Sequence, residues 1–155
     1  LNNIDYIEYI DDSRLNDYDF GSYMRVAQNY PSFTILFLNS HSYPISNNWL
    51  KKMLFHYKKK TLIATTASCE SFLTSLKLKK FYKVFSYFYR LIKYKKKFNP
   101  FPNPHIRTTG FLIKGSDFLT FVKNIKFKTK EDAWSVESGI NGMTNFFIKK
   151  NLIFT

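Results

Sequence analysis

The chain has 155 residues, of which 45% are hydrophobic and 19% aromatic, which is typical of one globular domain with its own core and excludes a disordered protein. No run of about 20 apolar residues occurs, and acidic residues interrupt positions 5–12, so neither a transmembrane helix nor a signal peptide is predicted. Cys69 is the only cysteine, which excludes an internal disulfide and a cysteine metal cluster and fits a cytoplasmic location.

The net charge of +13, from 24 basic and 11 acidic residues, raises the question of a polyanionic partner. Proteins that recognise nucleic acids rely on the arginine fork, and only Arg14, Arg25, Arg90 and Arg107 are arginines here. The joint abundance of Lys, Asn, Ile, Phe and Tyr is typical of an AT-rich coding sequence and accounts for much of the charge. We therefore expect no nucleic-acid partner.

Apolar runs and helical periodicity alternate along the chain and predict an α/β fold, with a mostly parallel sheet flanked by helices. The predicted elements, in chain order, are a helix over 20–29, a strand from Phe33 to Leu38, a helix from Ser46 or Asn47 to about Tyr57, a strand from Thr61 to Thr65, a long helix over 72–95, a strand from Thr108 to Ile113, a helix from Ser116 to about Lys123, a helix from Asn141 to Lys150 and a strand from Leu152 to Phe154.

The segment FLNSHS (37–42) ends a strand that we expect to be buried, and its small polar residues begin abruptly at Asn39. In α/β proteins, ligands bind in the crevice outside the carboxyl ends of the strands. Asn39, Ser40, His41 and Ser42 are therefore candidates to contact a phosphate, a sugar or a metal. The alternative is a polar turn that simply follows a strand.

Three of the few acidic residues fall within the segment KEDAWSVESG (130–139): Glu131, Asp132 and Glu137. A carboxylate within hydrogen-bond reach of a substrate proton can act as a general base, and Asp132 or Glu131 could do so. The alternative is an ordinary enrichment of acids at a helix N-terminus, where the helix dipole favours negative charge.

A stiff loop with three prolines, FNPFPNPHIRTTGF (98–111), leads into the strand that begins near Thr108. His105 and Arg107 alternate with Ile106, so both should lie on one face of the extended chain. The Arg107 fork suits a diphosphate or a carboxylate. The alternative is a surface arginine that ties down the proline-rich loop.

The predicted helix over 72–95 has basic residues on one face and the apolar residues Phe81, Phe85, Phe88 and Ile92 on the opposite face. A basic amphipathic helix with tyrosines at its edges can lie on an anionic membrane surface. The alternative is a helix that packs its Phe stripe on the sheet, and we favour that arrangement because the domain needs a helix there.

In their order and spacing, these segments resemble the family-2-like bacterial glycosyltransferases with a GT-A fold, especially surface-polysaccharide enzymes. RLNDYDFGSYMRVAQ (14–28) looks like the family segment before the metal strand, and FLNSHS takes the place of the strand-end DxD. IATTASCES (63–71) looks like the turn after the next strand. NPHIRTTGFLI (103–113) looks like the acceptor-side strand, and KEDAWSVESG looks like the ED segment. The resemblance implies one partial domain over residues 1–155, a fragment that lacks the family's first nucleotide-binding strand.

The resemblance implies transfer of a hexose-type sugar from a nucleotide-diphosphate sugar to a polysaccharide or lipid-linked glycan acceptor. It implies that Asp132 is the base for the acceptor hydroxyl, with Glu131 as the alternative. It places Asp19, Asn39, Ser40 and His41 near the donor diphosphate, and His105, Arg107 and Glu137 on the acceptor or phosphate side.

The family's DxD acids hold a divalent cation, manganese or magnesium, but Asn39 and His41 stand at those positions here. These two residues could hold manganese, or the site could work without a metal and use Arg or Lys as the counter-charge. The competing function is a non-catalytic basic module that binds an anionic membrane or a polyanion. For the enzyme, a peripheral contact through residues 77–97 with the inner face of the membrane is the alternative to packing of this segment on the sheet.

Overall fold

The computed structural model describes residues 10–11, 17–151 and 153–154, and within them helices alternate with short strands. The helices are Tyr18–Asn29 (α1), Trp49–His56 (α2), Val84–Lys95 (α3), Gly115–Val122 (α4), Lys130–Ser138 (α5) and Met143–Lys149 (α6). The strands are Thr34–Leu38 (β1), Thr61–Ala64 (β2), Ala67–Ser68 (β3), His105–Ile106 (β4), Gly110–Lys114 (β5) and Ile153–Phe154 (β6), and a 3₁₀ turn at Phe81–Lys83 precedes α3. The predicted α/β class is confirmed.

The main sheet has the strand order β1-β5-β2-β6. Strand β5 pairs antiparallel with both β1 and β2, while β2 and β6 pair in parallel. Strands β3 and β4 form a separate antiparallel pair. The mostly parallel pairing that the sequence predicts is therefore not found among the described strands, because β5 inserts in the reverse direction between two strands that run the same way.

The core forms where β5 meets α1 and α4. Strand β5 has a neighbour on each side and helices over its surface, so the side chains of Phe111, Leu112 and Ile113 are buried. The ring of Phe111 lies 5.0 Å from that of Phe37 in β1 and 5.8 Å from that of Phe118 in α4, measured between centroids. Burying each such ring contributes about 1.5–3 kcal/mol to the stability of the fold. This packing holds β1 and β5 together and so positions the sheet edge at which β1 ends and β5 begins.

The long helix predicted over 72–95 is shorter in the structure, because α3 begins at Val84 and the turn at 81–83 precedes it. The hydroxyl of Ser71 accepts hydrogen bonds from the backbone N–H groups of Leu73 and Thr74. These are the bonds of an N-cap, so Ser71 stabilises a single turn over 72–75, and this turn does not continue into α3.

The orientation of α3 also differs from the one we favour from the sequence. Its inner side carries Tyr94, which is buried against Phe98, whereas the stripe Phe81, Phe85, Phe88 and Ile92 is exposed. The prediction that this stripe packs on the sheet is therefore wrong. Within the described residues, no helix has the length and apolar character needed to cross a membrane.

Two predicted helix caps also differ. Helix α2 begins after Asn48, whose φ of 58° is left-handed and whose side chain makes no capping bond, so neither Ser46 nor Asn47 is the cap. Helix α4 begins at Gly115 after an extended Lys114, which places Ser116 inside the first turn. None of the residues of α2 is buried, and this leaves one side of that helix free to line an open cleft.

Candidate functional site

The carboxyl ends of β1 and β2 and the beginning of β5 meet at one edge of the main sheet. Because β1 and β2 both pair antiparallel with β5, they run in the same direction. Beyond the strands, the Asn39 N–H donates to the Thr109 carbonyl at 3.2 Å, and the Thr65 N–H donates to the Gly110 carbonyl at 2.9 Å. A Cβ at position 110 would come within 2.9 Å of the Leu38 side chain, so glycine permits this close approach.

A cleft of about 1110 Å³ opens at this edge. Leu38, Ile63 and Ala64 form an apolar part of its lining, and Trp49 and Met53 line it from α2. The polar residues of the lining include His41, Ser42, Lys52, Thr65, Thr66, Glu70 and Arg107. A concave, largely apolar surface with a few converging polar groups is the usual make-up of a small-molecule site.

Arg107 lines this cleft and lies between two carboxylates, Glu70, which also lines it, and Glu137, which does not. Its Nη1 lies 3.3 Å from Oε2 of Glu70, and its Nε lies 3.4 Å from Oε1 of Glu137. The same Glu137 oxygen accepts a hydrogen bond from the Thr108 N–H at 3.2 Å. The Glu70 side chain is 78% exposed and the Glu137 side chain only 20%, so Glu137 is the positioned carboxylate and Glu70 the more solvated one.

The residues of the strand-end segment FLNSHS take different positions relative to the cleft. The Asn39 Oδ1 accepts hydrogen bonds from the His41 N–H at 3.2 Å and from the Ser42 hydroxyl at 2.6 Å, which makes Asn39 the first residue of a tight polar turn. This turn directs His41 and Ser42 to the cleft, whereas Ser40 is exposed and lies outside its lining. Asn39 therefore forms the turn, and His41 and Ser42 are the residues of this segment that line the cleft.

Asn39 and His41 do not fit a divalent cation as its ligand pair. The amide oxygen of Asn39 already accepts two hydrogen bonds, and hard cations prefer several carboxylate or carbonyl oxygens. Across residues 10–11, 17–151 and 153–154, no group of three or more His, Cys, Asp or Glu side chains could hold a metal ion. The cations that line the cleft, Lys52 and Arg107, are the groups suited to meet an anionic ligand.

Asp132 serves as a helix cap. Its Oδ2 accepts hydrogen bonds from the Thr129 N–H at 2.9 Å, from the Thr129 hydroxyl at 2.8 Å and from the Lys128 N–H at 3.2 Å, and the Asp132 N–H donates to the Thr129 Oγ1. Partial burial raises the pKa of Asp132, but these hydrogen bonds outweigh it, so the pKa lies below its ordinary value. Asp132 lines a second cleft of about 250 Å³ and is not part of the lining of the larger one.

The carboxylate of Glu131 forms ion pairs with two lysines at the C-terminal end of α3 and just beyond it. Its carboxylate lies 2.8 Å from the ammonium group of Lys93 and 2.8 Å from that of Lys97. Burial raises the pKa of Glu131, but the bonds to the two lysines outweigh it and hold the pKa below the ordinary value. The carboxylate therefore ties α5 to the end of α3, and neither Glu131 nor Asp132 reaches the larger cleft.

Two further candidates from the sequence also lie outside the larger cleft. His105 is buried in β4, where its Nδ1 lies 2.7 Å from the Asn103 carbonyl, so it is a structural residue of the second sheet. Asp19 is an exposed residue in the first turn of α1. Of the residues predicted on the acceptor or phosphate side, Arg107 and Glu137 are thus brought together, and His105 is not.

Sequence reasoning missed three residues of the cleft: Trp49, Lys52 and Glu70. A signal for Glu70 was present, because it is the only acid between Asp19 and Asp117. No comparable signal marks Lys52 in so basic a chain, and Trp49 has the spacing of an ordinary buried helix face. Their placement depends on α2 standing away from the core.

Comparison with known proteins finds no match for this chain among family models, curated proteins or solved structures. The geometry of the cleft is therefore the basis on which a function can be argued.

Proposed function

We propose that this chain is part of a glycosyltransferase with a partial GT-A fold, which moves a sugar from a nucleotide-diphosphate sugar to a polysaccharide or lipid-linked glycan acceptor. The observation that carries the proposal is the convergence of His41, Ser42 and Arg107 in the cleft at the edge where β1 and β2 end, with Glu137 in contact with Arg107 but not itself part of the cleft lining. Crevices outside the carboxyl ends of strands are the common ligand sites of α/β proteins.

The size and lining of the cleft support a donor of this class. Its volume of about 1110 Å³ is at the upper end of small-molecule sites, in keeping with a nucleotide, a diphosphate and a sugar together. Trp49 and Met53 offer an apolar surface for a base or a sugar ring, and Lys52 and Arg107 offer positive charge for the diphosphate. The Arg107–carboxylate contacts of 3.3 and 3.4 Å are long, so a phosphate can compete for the guanidinium.

For the base, we assign Glu137 in place of Asp132 and Glu131. A general base must reach the acceptor hydroxyl, and Glu137 is the positioned carboxylate beside Arg107, with its orientation set by the Thr108 N–H. Glu137 takes the proton of the acceptor hydroxyl as the acceptor oxygen attacks the anomeric carbon, and the nucleoside diphosphate leaves with the bonding electrons. Arg107 and Lys52 stabilise the negative charge that develops on the leaving group.

A divalent cation is not required by this assignment, because the lysine and the arginine carry the counter-charge. Manganese or magnesium remains an expectation from the resemblance alone. Chelation of divalent ions during turnover distinguishes the two cases: activity that persists in a chelator supports charge compensation by Lys52 and Arg107.

The experiment that tests the proposal is turnover of the full chain with a panel of nucleotide-diphosphate sugars, followed as release of the nucleoside diphosphate. Glu137→Gln should lower turnover by about 10²–10⁴-fold, the usual contribution of a general base, while donor binding by calorimetry stays unchanged. Asp132→Asn is the matched control, since it removes an acid from the same helix outside the cleft, and it should leave turnover within a few-fold. Two results would overturn the proposal: no nucleoside diphosphate is released from any donor of the panel, or Glu137→Gln and Asp132→Asn lower turnover equally.

A further inference from the structure

Helix α3 has a second apolar face that no described part of the chain covers. We call Phe81, Phe85, Phe88 and Ile92 the α3 stripe; their exposed fractions are 92%, 86%, 54% and 61%. Their spacing of four, three and four residues puts them on one side of the helix and its leading 3₁₀ turn. A continuous row of exposed aromatic and aliphatic side chains marks an interaction surface in most proteins.

The stripe is not what attaches α3 to the body of the protein. Tyr94 is buried on the inner side of the helix, and its ring lies 5.2 Å from that of Phe98, which in turn packs on Phe72. Lys93 and Lys97 add ion pairs with Glu131 of α5. The helix is therefore held through one side, and its stripe faces solvent as an additional surface.

The charge around the stripe indicates what covers it. Nine cations and no acid occur in residues 77–97, and the nearest acids along the chain are Glu70 and Asp117. Within the described residues, only Lys93 and Lys97 of these nine have carboxylate partners. The other seven flank the stripe along the chain: Lys77, Lys79, Lys80, Lys83, Arg90, Lys95 and Lys96.

We propose that α3 docks on an anionic membrane surface, with the stripe inserted at the level of the acyl chains and the flanking cations at the lipid phosphates. Interfacial helices combine such an apolar face with basic residues, and each cation near an anionic surface adds about 1 kcal/mol of attraction. Tyr82 in the leading turn and Tyr89 in α3 are both exposed. Tyrosine has an apolar ring and a polar hydroxyl, so both residues are suited to the lipid headgroup region.

A second copy of the chain fits this face less well. A two-fold contact through α3 would bring two sets of cations together with no acid in either segment, and like charges across an interface are repulsive. An anionic bilayer offers both the apolar phase and the opposite charge. The docking goes beyond the proposed sugar transfer and does not depend on it.

The test is co-sedimentation of the full chain with vesicles of equimolar phosphatidylglycerol and phosphatidylcholine, compared with phosphatidylcholine alone. The Phe85→Ser/Phe88→Ser double variant removes two exposed rings of the stripe and should lower the partition coefficient at least about tenfold, given the apolar area of two phenyl rings. Phe55→Ser is the matched control, because Phe55 is 82% exposed on α2 and should not change binding. Salt should weaken binding to the anionic vesicles.

Three results would overturn the proposal: no binding to anionic vesicles at low salt, equal binding to neutral and anionic vesicles, or binding that the double variant leaves unchanged. A concentration-dependent dimer in analytical ultracentrifugation that the double variant abolishes would also overturn it, because the stripe would then be covered by a second copy. Turnover is not a readout here, so failure of the docking and failure of the sugar transfer remain distinguishable.

Discussion

Replacing Asp132 with alanine separates its role as a helix cap from the role of base that the sequence suggests. The substitution removes the acceptor of three hydrogen bonds, those from the Thr129 N–H, the Thr129 hydroxyl and the Lys128 N–H. Loss of a cap costs about 0.5–2 kcal/mol, and with one-third of the side chain exposed we expect about 1 kcal/mol. For a domain of this size, that corresponds to a fall in Tm of about 2–4 °C.

The pH dependence of this contribution has a definite sign. The pKa of Asp132 is lower in the folded chain than its ordinary value, because hydrogen bonds to the carboxylate outweigh the effect of burial. Its stabilising effect is therefore fully present above the unfolded pKa of about 3.9 and is lost as the pH falls through the folded pKa. The difference in unfolding free energy between the parent chain and Asp132→Ala should shrink across that range.

Urea denaturation at several pH values measures both effects. Asp117→Ala is the control, because Asp117 lies in the first turn of α4, a helix whose N-cap makes no side-chain bond, and should cost only a few tenths of a kcal/mol. A variant at Asp132 that keeps full stability and loses turnover would refute the cap assignment and return Asp132 to the role of base.

Three further substitutions test the fold around the site. Phe118→Ala removes a fully buried ring and should lower the free energy of unfolding by about 3–5 kcal/mol in urea denaturation. Glu131→Gln removes the ion pairs with Lys93 and Lys97 and leaves Lys97 only its 3.9 Å contact with Asp132, so it should cost up to about 1 kcal/mol, and the loss should shrink in high salt. Gly139→Ala places a Cβ within 2.3 Å of the Ser135 carbonyl, so it should lower the free energy of unfolding by about 1–3 kcal/mol. It should also lower turnover, because it shifts the end of α5. Unchanged stability in any of the three variants would contradict the packing described.

The strands of the core were accessible from the sequence because their apolar runs are short and continuous. Residues 34–38 and 110–114 are strands close to the predicted bounds, and α1 matches the helix predicted over 20–29. The direction of β5 was not accessible, since an apolar strand buried on both faces has no pattern that distinguishes parallel from antiparallel neighbours. The late start of α3 was missed because the helical periodicity extends over 72–95, whereas only a separate turn at 72–75 and the 3₁₀ turn at Phe81–Lys83 precede the helix.

The site was accessible only where residues adjoin a strand end. His41 and Arg107 were found because they follow β1 and precede β5, and their meeting depends only on strand order. The acids of α5 could not be sorted from the sequence, since a base and a capping residue share the same position at a helix N-terminus. The three-dimensional course of α5 decides between them, because its last turn brings Glu137 to Arg107 and its first turn points Asp132 back at Thr129.

The exposed stripe of α3 illustrates a different limit. Periodicity shows that a helix has an apolar face, but it does not show whether that face meets the core or another phase. Here α3 has apolar residues on two sides, and Tyr94 marks the one that is buried.

The central claim, that the cleft binds a nucleotide-diphosphate sugar, is tested most directly by the fluorescence of Trp49. The chain has two tryptophans; Trp49 lines the cleft, and Trp134 stacks on Phe72 with ring centroids 4.7 Å apart and is not part of the cleft lining. In Trp134→Phe, titration with nucleotide-diphosphate sugars should quench the remaining emission saturably, and adding Arg107→Ala should weaken that response at least about tenfold. Emission that no donor changes, or an equal response from Trp134 in Trp49→Phe, would contradict the account.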